Sequence, residues 1–213
     1  MGDIVNTLAE QYAEEYSGRE DDLLKNINEY TYKTHPHAHM LSGPVQGSFL
    51  AMLSNITKPL RILEVGTFTG YSALCLAKGL QETGQLHTIE IREEDASIAR
   101  AYFTESLYAD KITLHVGDAM DVIRNLDEQW DIVFIDADKP GYINYYELIL
   151  PSVKQNGLII ADNVLFHGQV LEGNISGKNA IAIHAFNNHV KNDERVEQVL
   201  LTVRDGLLII RKL

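Results

Sequence analysis

Arg61-Ile62-Leu63-Glu64-Val65-Gly66-Thr67-Phe68-Thr69-Gly70-Tyr71-Ser72 begins as a short apolar run, breaks at Gly66, reaches a second glycine at Gly70 and enters a helical pattern over 71–82. Four more such runs follow, at 86–90, 112–116, 132–136 and 158–162. Amphipathic stretches over 93–107, 119–126 and 142–150 separate them, the last closed by Pro151. Strands that are apolar almost throughout, alternating with helices, predict a parallel sheet covered on both faces. Two final runs, 199–203 and 207–211, are joined only by Arg204-Asp205-Gly206, which predicts an antiparallel hairpin at one edge. Upstream the texture changes, and residues 3–57 read as helices. Val45, Phe49, Met52, Leu53 and Ile56 recur at spacings of three and four and share one face; Leu23, Leu24, Ile27 and Tyr30 mark another helix. Leu8, Tyr12, Glu15 and Tyr16 mark a more polar one, and Ser17-Gly18-Arg19-Glu20 is the break between these two. The reading is one α/β domain over 1–213, with an N-terminal helical segment (1–57) ahead of a doubly wound core (58–213).

Composition narrows the function. The chain has 213 residues, 45% hydrophobic and 23% charged, which is ordinary for a globular protein and enough for one substantial core. A single cysteine excludes an internal disulfide and a thiolate zinc site. No apolar run approaches membrane-spanning length, and Met1-Gly2-Asp3-Ile4 does not begin a secretory signal. Eighteen basic against thirty acidic side chains give a net charge of −12, a surface that repels nucleic-acid phosphates and anionic lipid. A cytoplasmic protein acting on a small molecule is expected.

In a doubly wound sheet, ligands collect beyond the carboxyl ends of the strands, where the strand order reverses. The turn after the first strand has Gly-x-x-x-Gly spacing, not the Gly-x-Gly-x-x-Gly of a nicotinamide or flavin fold, so a dehydrogenase is disfavoured. Alone, the turn suits a tight connection as well as a ligand loop. Glu90, ending the second strand, has the chemistry to accept both hydroxyls of a ribose, and Gly117-Asp118-Ala119, ending the third, to read an adenine edge. Asp136 closes the fourth strand; Asp162 and Asn163 close the fifth. These neighbours bring together two carboxylates and an amide oxygen, a hard set suited to Mg²⁺, Ca²⁺ or Mn²⁺ rather than zinc. Without a cation, one of two such close carboxylates should have a raised pKa. The alternative is that strand-end acids cap the next helices, the stronger reading for Asp138. Lys139 lies on the same rim; beside a divalent cation it would be driven toward the neutral amine and serve as a base.

Taken in order, Glu64-x-Gly66-Thr-x-Thr-Gly70-Tyr71-Ser72, Glu90, Gly117-Asp118-Ala119, Phe134-Ile135-Asp136-Ala-Asp-Lys139, Tyr142 to Tyr146 and Ala161-Asp162-Asn163-Val164 resemble the cation-dependent catechol and caffeoyl-CoA O-methyltransferases, over roughly residues 30–213. The resemblance implies a Rossmann-like sheet of seven strands, S-adenosylmethionine as methyl donor, Mg²⁺ or another hard divalent cation, a small phenolic acceptor with vicinal hydroxyls, and a homodimer. It implies that Met40, Ser42, Glu64, Gly66, Thr67, Phe68 and Ser72 hold the amino-acid end of the donor. Glu90 and Ile91 would hold its ribose, Asp118 and Ala119 its adenine, with Asp136 beside it. Asp136, Asp162 and Asn163 match the family's metal ligands, and Lys139 its proposed base, acting with Asp136.

Other features read less directly. His35-Pro36-His37-Ala38-His39 invites a metal reading, but structural or gating roles fit it better, and His39 is the member expected near the acceptor. Phe166 and His167 head a polar loop over 166–178 where an acceptor wall is expected; Lys139 and Asn163 complete the acceptor set. Tyr142, Tyr145 and Tyr146 at helical spacing read as packing, Cys75 as a small buried hydrophobe, and Trp130, before the fourth strand, as a residue that packs or anchors the sheet edge. Two rivals stand beside this reading: methylation of a hydroxylated uridine in tRNA on the same scaffold, against which the −12 charge argues, and a cofactor-binding module without catalysis, which would have no need of Asp136, Lys139, Asp162 and Asn163 together.

Overall fold

The computed structural model describes residues 6–213; the helical reading of residues 3–5 and the Met1–Ile4 stretch lie outside it. Seven strands form one sheet: β1 (Arg61–Val65), β2 (Gln85–Glu90), β3 (Ile112–Val116), β4 (Trp130–Ile135), β5 (Val153–Asp162), β6 (Val196–Leu201) and β7 (Leu207–Lys212). Their order is β3-β2-β1-β4-β5-β7-β6. The first five strands are parallel, and β7 runs antiparallel to both β5 and β6. The strand order reverses between β1 and β4, where Val65 faces Ile135.

Side-chain alternation along each strand divides the interior in two. Leu63, Val133, Ile159 and Ile210 face the side covered by α7 (Tyr142–Ile149) and α8 (Lys178–Lys191), with Tyr142, Tyr146, Ile183 and Phe186. Ile62, Ile132, Phe134 and Ile160 face the side covered by α2 (Asp22–Thr34), α3 (Gly43–Thr57), α4 (Tyr71–Ala77) and α5 (Glu93–Glu105). Two further helices, α1 (Thr7–Glu15) and α6 (Ala119–Arg124), complete the set.

Several expectations shift. Of the expected α3 face, Phe49 and Leu53 pack partly buried against the core, but Met52 and Ile56 do not enter it: they are 63% and 72% exposed. The buried face is Gly43, Gln46, Gly47, Leu50 and Ser54. Small residues prevail because α3 lies hard against α4; a Cβ at Gly47 would be 2.6 Å from the Tyr71 ring. The same closeness ends α4 at Ala77 rather than residue 82, because Gly79 presses on the Ser54 backbone. The hairpin forms, but β6 ends at Leu201, and residues 202–206 make a longer turn with Arg204 and Gly206 in the left-handed region. Helix α8 adds an element within a stretch left unassigned above; its buried Ala180, Ile183, Phe186 and Val190 carry the spacing that would have found it.

Candidate active site

A cavity of about 940 Å³ opens at the carboxyl ends of the parallel strands. Its floor depends on Gly66, at φ +102°, where a Cβ would be 1.9 Å from the Asp136 carbonyl oxygen. The Gly66 amide donates to the Ile89 carbonyl at 3.0 Å and the Asp136 amide to Val65 at 2.8 Å, so the ends of β1, β2 and β4 are drawn together.

One half of the wall comes from the first three strand ends. Gly66, Thr67, Phe68 and Ser72 line it after β1, Glu90 at the end of β2 with Ile91 beyond it, and Asp118 and Ala119 after β3. The Glu90 carboxylate accepts the Phe68 amide at 2.8 Å on one oxygen and the Arg92 amide at 3.0 Å on the other. Asp118 caps α6 through the Met120 amide at 2.8 Å while its residue also forms wall. Glu64 is placed differently: fully buried, it lies behind the wall rather than on it. Thr88 donates to one of its oxygens, while the other, Oε1, has no partner. Burial pushes its pKa up to about 8 despite the hydroxyls of Ser72 and Thr88.

The other half carries the denser polar chemistry. Lys139 Nζ donates to Asp136 Oδ1 at 3.0 Å, to Asn163 Oδ1 at 2.9 Å and to the Tyr142 hydroxyl at 2.8 Å. Two of the three oxygen donors thus converge on one positive charge. Asp162, 2% exposed, accepts Gln46 Nε2 at 2.6 Å on Oδ2 and the Asn163 amide at 2.6 Å on Oδ1. Burial and then the nearby Asp136 push its pKa up to about 7, as two close carboxylates require. Burial alone would disfavour the Lys139 ammonium, but the Tyr142 oxygen, Asp136 and Asp162 outweigh it and hold the pKa above the lysine range. Here Lys139 is a charged donor, not yet a base.

The rim is closed by His39, Met40 and Ser42 on one side and by Phe166 and His167 on the other. Residues 166–171 form a kinked 3-10 turn rather than an open loop, with Phe166 and His167 in the left-handed region. Four contributors were not anticipated. Gln46 orients Asp162; Tyr142, read as packing, links Lys139 to the Asp162 carbonyl at 2.9 Å. Asp205 accepts the His167 amide at 2.6 Å, and Arg204 donates to the Leu41 carbonyl at 2.7 Å and to that of Ser42. Tyr145 also reaches the wall, whereas Tyr146, Cys75 and Trp130 are buried packing residues, as read.

A second, shallower hollow of about 690 Å³ lies on α8, beside Glu147, His189 and Asp193. Their spacing would admit an ion, but Arg195 already fills it, 2.6 Å from both Glu147 and Asp193, with Tyr146 also donating to Asp193. It is an ion-pair network.

A family described as O-methyltransferase matches residues 14–213. A probable caffeoyl-CoA O-methyltransferase from Dictyostelium discoideum is 32% identical over 208 residues, covering 95% of this chain and 90% of its own. A flavonoid 3',5'-methyltransferase from Vitis vinifera is 31% identical, covering 92% and 88%. Among solved structures, a Podospora anserina methyltransferase bound to SAH superposes with a TM-score of 0.90 at 29% identity over the whole of both chains. With the matched region spanning α2 to α8, the sheet and every strand end that builds the cavity, the chain belongs to the O-methyltransferase family.

Proposed function

We propose that the protein transfers the methyl group of S-adenosylmethionine to a hydroxyl of a small aromatic diol, assisted by a hard divalent cation. The observation that carries the reading is that Asp136 and Asn163 close on one cationic nitrogen, with Asp162 beside them, in the same cavity as Glu90 and the glycine turn. The donor fits the first half of the wall. Each Glu90 oxygen keeps acceptor capacity for a ribose hydroxyl, and the turn residues Gly66, Thr67, Phe68 and Ser72 line the cavity beside it for the rest of the donor. The cation fits the second half, since the set is oxygen-only and partly anionic. Asp136, Asp162 and Asn163 would hold it.

A bound divalent cation supplies a lowered phenol pKa, a fixed ring and a field that drives Lys139 toward the neutral amine. The chain's own residues then do the rest. Lys139, tethered at Nζ by Tyr142, receives the proton from the acceptor hydroxyl. Phe166, His167, His39 and Met40 enclose the ring and exclude water. Methyl transfer needs little covalent help, so holding the two reactants at about 3–3.5 Å accounts for most of the acceleration. The same reading expects a cytoplasmic enzyme.

The test is a labelled-methyl assay against catechol, caffeoyl esters, flavonoids and total tRNA, with Mg²⁺ and after exhaustive EDTA. Transfer to the diols that is lost with EDTA and restored by Mg²⁺ is expected. Transfer that survives EDTA removes the metal; transfer to tRNA alone replaces the acceptor.

A further inference from the structure

The three closely spaced histidines do not gather around a common point for a metal. Pro36 forces His35 out of the helical region, to ψ 128°, and ends α2. The chain then crosses the cavity mouth, with a 3-10 turn at Ala38–Met40, and places His39, Met40, Leu41 and Ser42 on the wall. His35 itself turns the other way. Its Nδ1 accepts the His37 amide at 3.1 Å, so the neutral ring carries its proton on Nε2, which lies 2.9 Å from Asp95 Oδ1.

Asp95 is 3% exposed, in the first turn of α5, and its second oxygen lies 2.5 Å from Arg92 Nε. Arg92 in turn reaches Glu90 Oε1 at 3.6 Å and lies over the Phe68 ring at 5.8 Å. The His35 ring meets Phe68 edge-on at 4.6 Å. Phe68 is therefore held on two sides, and it needs to be: its amide reaches Glu90 only because its φ is +51°, a strained value for a bulky residue. A second tie, Thr31 Oγ1 to Thr69 Oγ1 at 3.1 Å, joins α2 to the same loop.

We infer that His35 is a positioning residue which, through Asp95 and Arg92, fixes Phe68 and Glu90 and anchors the 37–42 crossing over the methyl-donor half of the cavity. It sets donor affinity and leaves the transfer step alone. The inference rests on reading that half as the S-adenosylmethionine pocket. S-adenosylhomocysteine is titrated calorimetrically into the parent, His35→Ala, His35→Gln and Asp95→Asn, with steady-state kinetics on catechol alongside. His35→Ala should bind about tenfold more weakly and raise KM for S-adenosylmethionine by the same factor, with kcat within threefold. His35→Gln, whose amide nitrogen can donate to Asp95, should return to within threefold of the parent. Asp95→Asn, which removes the charge facing Arg92, should bind about fivefold more weakly and decides the matter if His35→Ala does not fold. Parent-like affinity in the folded His35→Ala or in Asp95→Asn overturns the inference, as does a glutamine variant no better than alanine. A parent that binds no S-adenosylhomocysteine at all would instead strike the pocket assignment, a result told apart before any variant is compared.

Discussion

Lys139 spends all three of its donors inside the site, on Asp136, Asn163 and Tyr142. A side chain so engaged is held for a purpose at one atom, and its removal should harm proton transfer far more than donor binding. Lys139→Ala is expected to lower kcat by at least about 100-fold, the range of general-base catalysis, while S-adenosylhomocysteine affinity stays within threefold; unchanged turnover would end its assignment as base. The residues legible from sequence were those at strand ends, because an apolar run announces where it stops and the next polar side chain has nowhere to go but the rim. Asp136, Asp162, Asn163 and Glu90 were found that way. Gln46 was not, since it reaches Asp162 across 116 residues of chain and nothing local marks it. Tyr142 packs as read, but its hydroxyl's link to Lys139 was missed because a tyrosine can pack its ring and use its hydroxyl at once. Glu64, which the resemblance placed at the amino-acid end of the donor, lies behind the wall, with Gly66 two residues on occupying the surface position.

The parallel strands were legible to within two residues at each end, because their continuous apolar runs have no other stable burial, except that β5 begins at Val153, five residues before the expected start, through the polar stretch Lys154-Gln155-Asn156-Gly157. Edges were less so. β6 is the edge strand and is exposed on both faces over residues 197–200, so it carries little apolar signal to fix its ends. The α3 face was misassigned in part, at Met52 and Ile56, for the opposite reason: its apolar residues are conspicuous, but contact distance to α4 selects small side chains such as Gly47 for full burial. A comparable steric demand governs the β1–β4 junction. Gly66→Ala adds a Cβ into the Asp136 carbonyl and forces a left-handed alanine, so a loss of at least about 2–3 kcal/mol is expected. Urea unfolding would measure it, and a loss below about 0.5 kcal/mol would show that the junction can relax.

Two properties belong to the molecule as a whole. The first is its response to pH. Glu64 keeps its proton to about pH 8 when folded but ionises from about 4.5 when unfolded, so its contribution is intact in acid and is lost as pH rises between those values. Asp162, at about 7, acts in the same direction. Relative to Glu64→Gln, the parent should therefore lose unfolding free energy between pH 5 and pH 8; a constant difference across that range would contradict the shift. The second is association. Leu8 and Tyr12 on α1, Tyr16 capping its C-terminal end, and Met52 and Ile56 on α3 are all more than 60% exposed, and the two helices touch each other. We propose that a second copy covers them. Sedimentation equilibrium should give twice the 23.9 kDa chain mass, reduced to one by Met52→Lys with Ile56→Glu; a monomeric parent would refute it.

Strand β7 lies inside the sheet, between β5 and β6, and the turn before it carries Arg204 to the Leu41 and Ser42 carbonyls. On the ribosome, the piece that bolts the mouth of the pocket is therefore made 163 residues after the piece it bolts. Until β7 is made, any sheet the nascent chain has formed has an unclaimed backbone edge on β5, and any release short of residue 204 leaves the vestibule without its clasp.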